Sequence, residues 1–182
     1  MFARTQRLTL RPGWPEDAPA LTRAIGHETV VRMLAMVPWP YRLCDAESFL
    51  SRERGADEAA FLIFAHDGEL PRLVGGIGLA PDEEGHELGY WLTPSAWGRG
   101  YATEAGQAVV AIARHALGLK RLHAGHFVDN PASGRVLRKL GFRPTGRIRG
   151  RASLGRDAIL PCRLYELDLD EEASAGACAM AA

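Results

Sequence analysis

The stretch "YWLTPSAWGRGYATEAGQAVVAIARHALG", Tyr90 to Gly118, passes from an apolar strand pattern through a glycine corner into a helical pattern. Gly98 and Gly100 allow the backbone to approach a ligand closely, and the free amide groups at the start of the helix suit an anion. The same glycines are equally typical of a sharp corner that needs their torsion angles. The nucleotide P-loop and the dinucleotide fingerprint are both absent from this stretch, so the glycines alone leave the two interpretations open.

The overall composition is that of a globular chain with one core. Of 182 residues, 47% are hydrophobic, and 22 basic residues balance 22 acidic ones, so the net charge predicts neither a nucleic-acid partner nor a membrane-surface partner. Lysine occurs only at positions 120 and 139, which is typical of a GC-rich coding sequence. Cys44, Cys162 and Cys178 lack metal-ligand spacing, so the sequence predicts a reducing compartment without a zinc site. No signal peptide or membrane-spanning run is present, which predicts a cytoplasmic protein.

Hydrophobic periodicity predicts the order of the elements. Strands are expected at 7–11, 59–66, 72–80, 86–92, 121–128, 143–151 and 160–169, and helices at 16–31, 45–53, 100–117 and 131–141. Asp45 is the expected N-cap of the second helix. The order predicts an α+β fold with a mostly antiparallel sheet and one crossover helix between the fourth and fifth strands. We expect residues 1–170 to form a single domain and the small-residue tail, 171–182, to be disordered.

A second motif, "NPASGRVLRKLGF", spans Asn130 to Phe142. Pro131 suits the first position of a helix, which makes Asn130 the expected N-cap, and Gly141 suits the C-terminal cap. These three residues predict a short helix and, on their own, nothing more.

Together, "ELGYWL", "WGRGYATEA" and "DNPASGRVLRKLGF" resemble the GCN5-related N-acetyltransferase (GNAT) superfamily, and within it the ribosomal-protein N-terminal acetyltransferases. The resemblance runs from about Arg4 to Asp170 and includes "PWPYRLCDAESFL", similar to the substrate-side segment of that branch. It implies a GNAT-type acyl-CoA fold with a mixed sheet of about seven strands, flanking helices, and two central strands that splay apart. Acetyl-CoA is the implied cofactor, with its pantetheine arm in the gap between those strands.

The resemblance also implies which residues contact the cofactor. Backbone amides near Trp91 and Leu92 would polarise the thioester carbonyl, and the amides of about Arg99 to Thr103 would hold the pyrophosphate. The full implied set is Trp91, Leu92, Trp97, Gly98, Arg99, Gly100, Tyr101, Ala102, Thr103, Asn130 and Ser133. Trp97 stands where the superfamily usually has Gln or Arg, and whether the Arg99 side chain adds charge or is simply solvated stays open.

Two catalytic roles follow from the resemblance. Many relatives place a tyrosine seven residues after the asparagine to assist the departing thiolate, but Leu137 stands there and has no proton to give. Ser133 is the substitute that we expect, as a hydrogen-bond donor to the sulfur, although an exposed serine in a first helical turn is the alternative. Glu87 is the expected base, through water if needed, although a solvated or salt-bridged strand residue is an equally open interpretation, and His86 is the alternative base. Strand alternation allows either of these two residues to face the cleft.

Several other residues have competing interpretations. Trp39 and Tyr41 would line the amine pocket or pack under a proline-rich loop, and Glu104 is assigned to a structural hydrogen bond or to the helix dipole. His123 and His126 are expected to be structural. The basic segment "RIRGRASLGR", 147–156, suits either an acidic acceptor or a solvated hairpin.

The predicted reaction is acetyl transfer to a primary amine, most directly a protein N-terminal α-amine of the ribosomal-protein type. A small-molecule amine and a catalytically silent acyl-CoA-binding module are the alternatives. No direct nucleic-acid binding or membrane association is expected, since the basic segment has no interleaved aromatic residues. Dimers are common in the families that the chain resembles, so a homodimer is an open expectation.

Overall fold

The computed structural model describes residues 1–170 as eight strands and five helices. The strands are β1 (Ala3–Arg4), β2 (Leu8–Arg11), β3 (Ala59–Ala65), β4 (Arg72–Asp82), β5 (Gly85–Leu92), β6 (Arg121–Phe127), β7 (Arg143–Ser153) and β8 (Ala158–Asp168). The helices are α1 (Ala18–Ile25), α2 (Glu28–Val31), α3 (Leu43–Ser51), α4 (Tyr101–His115) and α5 (Pro131–Lys139). The expected disorder of 171–182 concerns residues outside this range.

All eight strands form one sheet in the order β1-β2-β3-β4-β5-β6-β8-β7. Neighbouring strands pair antiparallel except β5 and β6, which are parallel and joined by the crossover helix α4. This confirms the predicted α+β order and the single crossover. The additional strand is the two-residue β1, which is too short to leave a periodic signal in the sequence.

The central strands separate after very little pairing. β5 and β6 share one registered pair, Glu87 with His123, whereas β4 and β5 pair continuously from Gly75 with Leu92 to Asp82 with Gly85. Beyond the pair with His123, the β5 edge from Leu88 to Leu92 therefore faces a gap instead of a strand. This is the splay that the resemblance implied.

Each face of the sheet carries its own apolar core. Helix α4 packs against β2, β4 and β5 on one face, around fully buried residues such as Leu122 and Leu137. Helices α1 and α3 pack together over the opposite face, around Leu21 and Leu62. The gap between β5 and β6 thus opens between two covered faces, which fixes the walls of the site described below.

Two local predictions were wrong. The helix expected over 16–31 is interrupted at Gly26, whose ψ of 46° takes the chain out of helical geometry and separates α1 from α2. Asp45 is not the N-cap of α3, because Arg42 holds that position and the Asp45 carboxylate accepts a hydrogen bond from the Arg42 backbone N–H at 2.7 Å. An acidic residue stabilises a helix start from the first turn as well as from the cap. Asp45 therefore does mark the start of this helix, but from a position three residues after the cap.

In the described part of the chain, no helix has both the length and the apolar character that crossing a membrane requires.

Candidate active site

A cleft of about 640 Å³ opens where β5 and β6 separate. Its walls come from both strands, the starts of α4 and α5, and the segment that follows α2. Of the residues expected at the site, those lining the cleft are Glu87, Trp91, Leu92, Trp97, Gly98, Gly100, Tyr101, Ala102, Thr103, Asn130 and Ser133. Arg99, Trp39, Tyr41 and His86 do not line it.

The glycine corner is compatible with both interpretations that the sequence left open. Gly98 and Gly100 have φ values of 73° and 80°, a left-handed conformation that other residues rarely adopt, so the corner itself needs glycine. Gly100 is also the N-cap of the 15-residue helix α4 and lines the cleft with Tyr101, Ala102 and Thr103. The first-turn amides of α4 therefore lie at the cleft wall, where they suit an anion.

Asp67 anchors this corner from one side. Its carboxylate accepts hydrogen bonds from the Tyr101 hydroxyl at 2.9 Å and from Arg99 at 2.6 Å, and it forms an ion pair with Arg72 at 3.4 Å. The hydrogen bond from Tyr101, supported by Arg72, holds the pKa of Asp67 below its usual value despite partial desolvation. The Arg99 side chain is thus bound to Asp67 through Nη1 and is not simply solvated.

Glu104 anchors the corner from the other side. Its carboxylate accepts hydrogen bonds from the Thr5 hydroxyl at 2.6 Å, from the Arg7 backbone N–H at 2.9 Å and from the Arg7 guanidinium at 2.8 Å. Burial disfavours the charge, but these bonds outweigh it and lower the pKa of Glu104. Arg7 also donates to the Arg99 carbonyl at 3.0 Å. The predicted structural role of Glu104 is confirmed, and Arg7 offsets its charge beside the first turn of α4.

At the opposite wall, the start of α5 is held by Asn130. The Asn130 side-chain oxygen accepts a hydrogen bond from the Ser133 backbone N–H at 3.2 Å, which confirms the predicted N-cap. The Ser133 hydroxyl lies 2.8 Å from the Tyr90 hydroxyl, which is also 3.0 Å from the Ser133 carbonyl oxygen. Leu137, at the position where many relatives have tyrosine, is fully buried in the core.

Tyr90 is a site residue to which the sequence assigned no role. It lines the cleft from β5, and burial raises its pKa to about 12, so its phenol stays protonated at neutral pH. Two hydroxyl groups, one from β5 and one from α5, therefore lie side by side in the cleft. The only sequence signal was alternation along β5, which places Tyr90 with Leu88 and away from Glu87.

On the other side of the cleft, Glu87 is paired with an arginine. Both carboxylate oxygens contact Arg151 of β7, and one of the two contacts is a 2.6 Å hydrogen bond to Nη2. The hydrogen bonds that Arg151 donates to Glu87 raise the pKa of Arg151, so this guanidinium keeps its charge. Cys162 also lines the cleft beside Arg151, and burial raises the pKa of its thiol. His86, the alternative base, lies outside the cleft, 3.5 Å from Asp57.

Trp39 and Tyr41 do not line the cleft. Trp39 is 43% exposed, and Tyr41 packs against the core beneath α1 and α3. The residues between α2 and α3 that do line the cleft are Met33, Leu34 and Ala35. The hairpin between β7 and β8 holds this segment in place, since Ser153 Oγ donates to the Leu34 carbonyl at 3.1 Å and Leu154 N–H donates to the Ala35 carbonyl at 2.9 Å. Of the two interpretations of Tyr41, the structure therefore favours packing, here in the α1–α3 layer, over a place in the wall of the cleft.

His126 is buried at the cleft wall with one nitrogen unpaired. The residue is 7% exposed, and its Nδ1 lies 2.7 Å from the Phe127 carbonyl, so Nδ1 carries the proton. Burial, together with Arg163 and Arg138, lowers the pKa of His126, while the bond to Phe127 opposes the shift. Nε2 has no hydrogen-bond partner within residues 1–170, and a Cβ at Gly134 would lie only 2.6 Å from it. His123, by contrast, is paired with Asp82 at 2.9 Å.

Comparison with known proteins agrees with this geometry. The sequence model of the family described as "Acetyltransferase (GNAT) domain" matches residues 7–143. The chain belongs to the GNAT family. An uncharacterized N-acetyltransferase of Bacillus subtilis, YoaA, is 33% identical over 156 residues, which cover 80% of this chain and 84% of YoaA.

Two further relatives have names that state a substrate. The ribosomal-protein-serine acetyltransferase of Escherichia coli is 31% identical over 112 residues, or 62% of each chain. Among solved structures, RimL, a ribosomal L7/L12 alpha-N-protein acetyltransferase in complex with coenzyme A, has a TM-score of 0.75 at 19% identity, covering 93% of this chain and 99% of RimL. The likeness to RimL is one of fold.

This GNAT protein is therefore an acetyl-CoA-dependent N-acetyltransferase, and its cleft fits that cofactor. The volume is within the range of ligand pockets, about 300–1,000 Å³. The unpaired edge of β5 offers backbone groups to a pantetheine arm, and the first turn of α4 offers amides to a pyrophosphate. The individual contacts of Trp91, Leu92, Trp97 and Asn130 with the cofactor stay predictions.

Replacing Gly100 with valine tests the anion-binding wall. A Cβ at Gly100 would meet only Arg7 Nη2, at 3.5 Å, so the cost of a side chain there comes from the left-handed φ, which a β-branched residue can relieve only by moving the backbone of the corner. Gly100→Val is expected to weaken acetyl-CoA binding at least about tenfold, as measured by calorimetry, because the phosphate loses close backbone contact.

Gly118→Val is the matched control, since Gly118 is also left-handed, at φ 63°, in open space beyond the other end of α4. Equal dissociation constants for the two variants would contradict the assignment.

His126 should make the stability of the protein pH-dependent. Because its pKa is lowered in the folded state, the unfolded chain binds the proton more readily, so stability is complete above about pH 6.5 and decreases as the pH falls below it. The slope of the unfolding free energy should reach at most ~1.4 kcal/mol per pH unit from this group.

In denaturant titrations from pH 7.5 to 5, His126→Asn, which keeps a donor near Nδ1, should flatten the slope. His115→Asn, which removes an exposed imidazole at the end of α4, is the control. A slope that is unchanged in His126→Asn would refute the argument.

Proposed function

We propose that the enzyme transfers the acetyl group to an α-amine, most directly the N-terminal amine of a protein. The observation that carries this proposal is the charge state of the cleft. Within residues 1–170, two carboxylates line it, and each holds an arginine: Glu87 with Arg151 and Asp129 with Arg156. Neither a free carboxylate base nor an acidic lining for a polyamine or an aminoglycoside-like polycation is present among the described residues.

A paired carboxylate suits an acceptor that arrives uncharged. An α-amine has a reference pKa of about 8 and is partly neutral at pH 7.5, whereas a lysine side chain near 10.4 is neutral about once in a thousand molecules. Neutralising a lysine therefore costs roughly 4 kcal/mol at pH 7.5, which is about 3 kcal/mol more than neutralising an α-amine. Glu87, held by Arg151, needs only to receive a proton after attack, through water where necessary. The E. coli relative named for ribosomal-protein serine supports a protein acceptor.

The residues of this chain then have separable roles. Bound acetyl-CoA supplies the thioester whose carbonyl carbon the amine attacks. The free edge of β5 near Trp91 and Leu92 orients backbone amides for the carbonyl oxygen, where a developing negative charge is stabilised most. Ser133 donates its hydroxyl proton as a hydrogen bond to the departing sulfur, and the Tyr90 hydroxyl, 2.8 Å away, orients Ser133. The high pKa of Tyr90 keeps it a donor throughout the neutral range.

A pair of peptides tests the acceptor class. Both carry an internal lysine, one has a free N-terminus and its twin is N-terminally blocked, and each is incubated at pH 7.5 with isotopically labelled acetyl-CoA. Fragmentation mass spectrometry should place the label on the free α-amine, and the blocked twin should gain about two hundredfold less, in line with the ratio of the neutral fractions of the two amines at this pH.

Parallel reactions use a desalted bacterial lysate with and without its small molecules restored. Label confined to lysines or to small molecules would move the function to another acceptor, and CoA binding without thiol release would indicate a silent module.

Substitutions at Ser133 and Tyr90 test whether their hydroxyl groups act in catalysis or only in cofactor binding. Ser133→Ala should lower kcat by about 10–100-fold with little change in the dissociation constant for acetyl-CoA, because a hydrogen bond to a charged group contributes roughly 1.5–3 kcal/mol. Tyr90→Phe should have a smaller effect, and the double variant should be no slower than Ser133→Ala.

Tyr41→Phe, outside the cleft, is the control. Weaker acetyl-CoA binding at unchanged kcat would make Ser133 a binding contact only.

A further inference from the structure

Two cations on α5 face the cleft without a catalytic role. Arg135 and Lys139 both line it, together with the first turn of α4. They are four residues apart in one helix, so their side chains lie on the same face, with Cβ atoms about 6 Å apart. Arg138 lies on a different face, where its Nη2 is 3.5 Å from the Tyr165 hydroxyl, and it does not line the cleft.

Neither cation is neutralised by the protein within residues 1–170. No ion pair or side-chain hydrogen bond involves Arg135 or Lys139 in that range, and the carboxylates nearest the cleft are already bound. Asp129 holds Arg156 at 2.6 Å, Glu104 holds Arg7 at 2.7 Å, and Glu87 holds Arg151. The α5 wall therefore carries two positive charges that are available to a ligand.

A helix-end role explains at most one of them. Lys139 lies in the last turn of α5, where a cation stabilises the helix dipole. Arg135 is in the middle of the helix and gains nothing there. The position of both side chains at the cleft points to an anion that needs more charge than backbone amides supply.

The chemistry of the cofactor provides such an anion. Coenzyme A carries a pyrophosphate, which backbone amides at a helix start can hold, and a separate phosphate monoester on the 3′-oxygen of its ribose. A phosphate monoester bears about 1.5 to 2 negative charges at pH 7 and three strong acceptor oxygens. Arginine binds such a group through two parallel hydrogen bonds and lysine binds it as a point charge. We propose that Arg135 and Lys139 form a subsite for the 3′-phosphate, by which the enzyme distinguishes coenzyme A from its dephosphorylated form.

The subsite rests on acetyl-CoA as donor and is independent of the acceptor amine. Calorimetry tests it with two ligands that differ only in the 3′-phosphate, CoA and dephospho-CoA, on the wild type, Arg135→Gln, Lys139→Gln and the double variant. Arg138→Gln, on the same helix but outside the cleft, is the matched control. The wild type should bind CoA at least about tenfold more tightly than dephospho-CoA, as expected for charge-assisted hydrogen bonds.

The single variants should each lose part of that preference, and the double variant should bind the two ligands within about threefold of each other. Dephospho-CoA binding should stay within about twofold of the wild type in every variant, because its remaining phosphates contact α4. Adenosine 3′,5′-bisphosphate against AMP should show the same pattern without the pantetheine arm.

Equal losses for CoA and dephospho-CoA would assign the two cations to the pyrophosphate and overturn the subsite. A wild type without preference would overturn it as well. Both results would leave acetyl transfer to an α-amine intact, since that proposal is decided by the peptide products. Thermal unfolding of the free variants identifies any loss that comes from a destabilised α5.

Discussion

Backbone pairing between β5 and β6 stops after Glu87 and His123, and the site depends on that interruption. Buried backbone N–H and C=O groups require partners, so a strand edge that faces a gap inside the sheet invites an extended ligand. The gap is maintained from both sides: α4 crosses over one face to connect the two strands, and α1 and α3 cover the other. The first turn of α4 and the capped start of α5 then both line one cleft.

Charge in this cleft is largely matched within the protein. Asp67 and Glu104 hold the corner before α4 through Arg99, Tyr101 and Arg7, and Glu87 is bound to Arg151. The corner is thereby rigid before any ligand arrives, which lowers the entropy that binding has to overcome. No free carboxylate lines the cleft among the described residues, while the α5 wall keeps two unneutralised cations. The cleft therefore has an excess of positive charge on the α5 wall and a neutralised ion pair at Glu87.

The buried polar groups divide the cleft further. On the α5 side, Tyr90 and Ser133 remain neutral hydroxyl donors, and His126 is held neutral by burial with its proton on Nδ1. The Glu87–Arg151 pair contributes an ionised group to the cavity wall. Tyr90 and Glu87 point to different faces of β5, because alternate residues of a strand point in opposite directions.

Local interactions account for what the sequence by itself determined. Spacing along the chain predicts the element order, the glycine corner, the Asn130 cap and the structural role of Glu104. The ordered motifs by themselves indicate the family. Tertiary structure alone decided which side chains meet: Tyr90 and Ser133 are 43 residues apart, and Glu87 and Arg151 are 64 apart. Tertiary packing also places Trp39 and Tyr41 outside the cleft and Arg135 and Lys139 at its wall. Such contacts depend on strand register and helix rotation, which are set by packing across the whole sheet and leave no periodic signal in the chain.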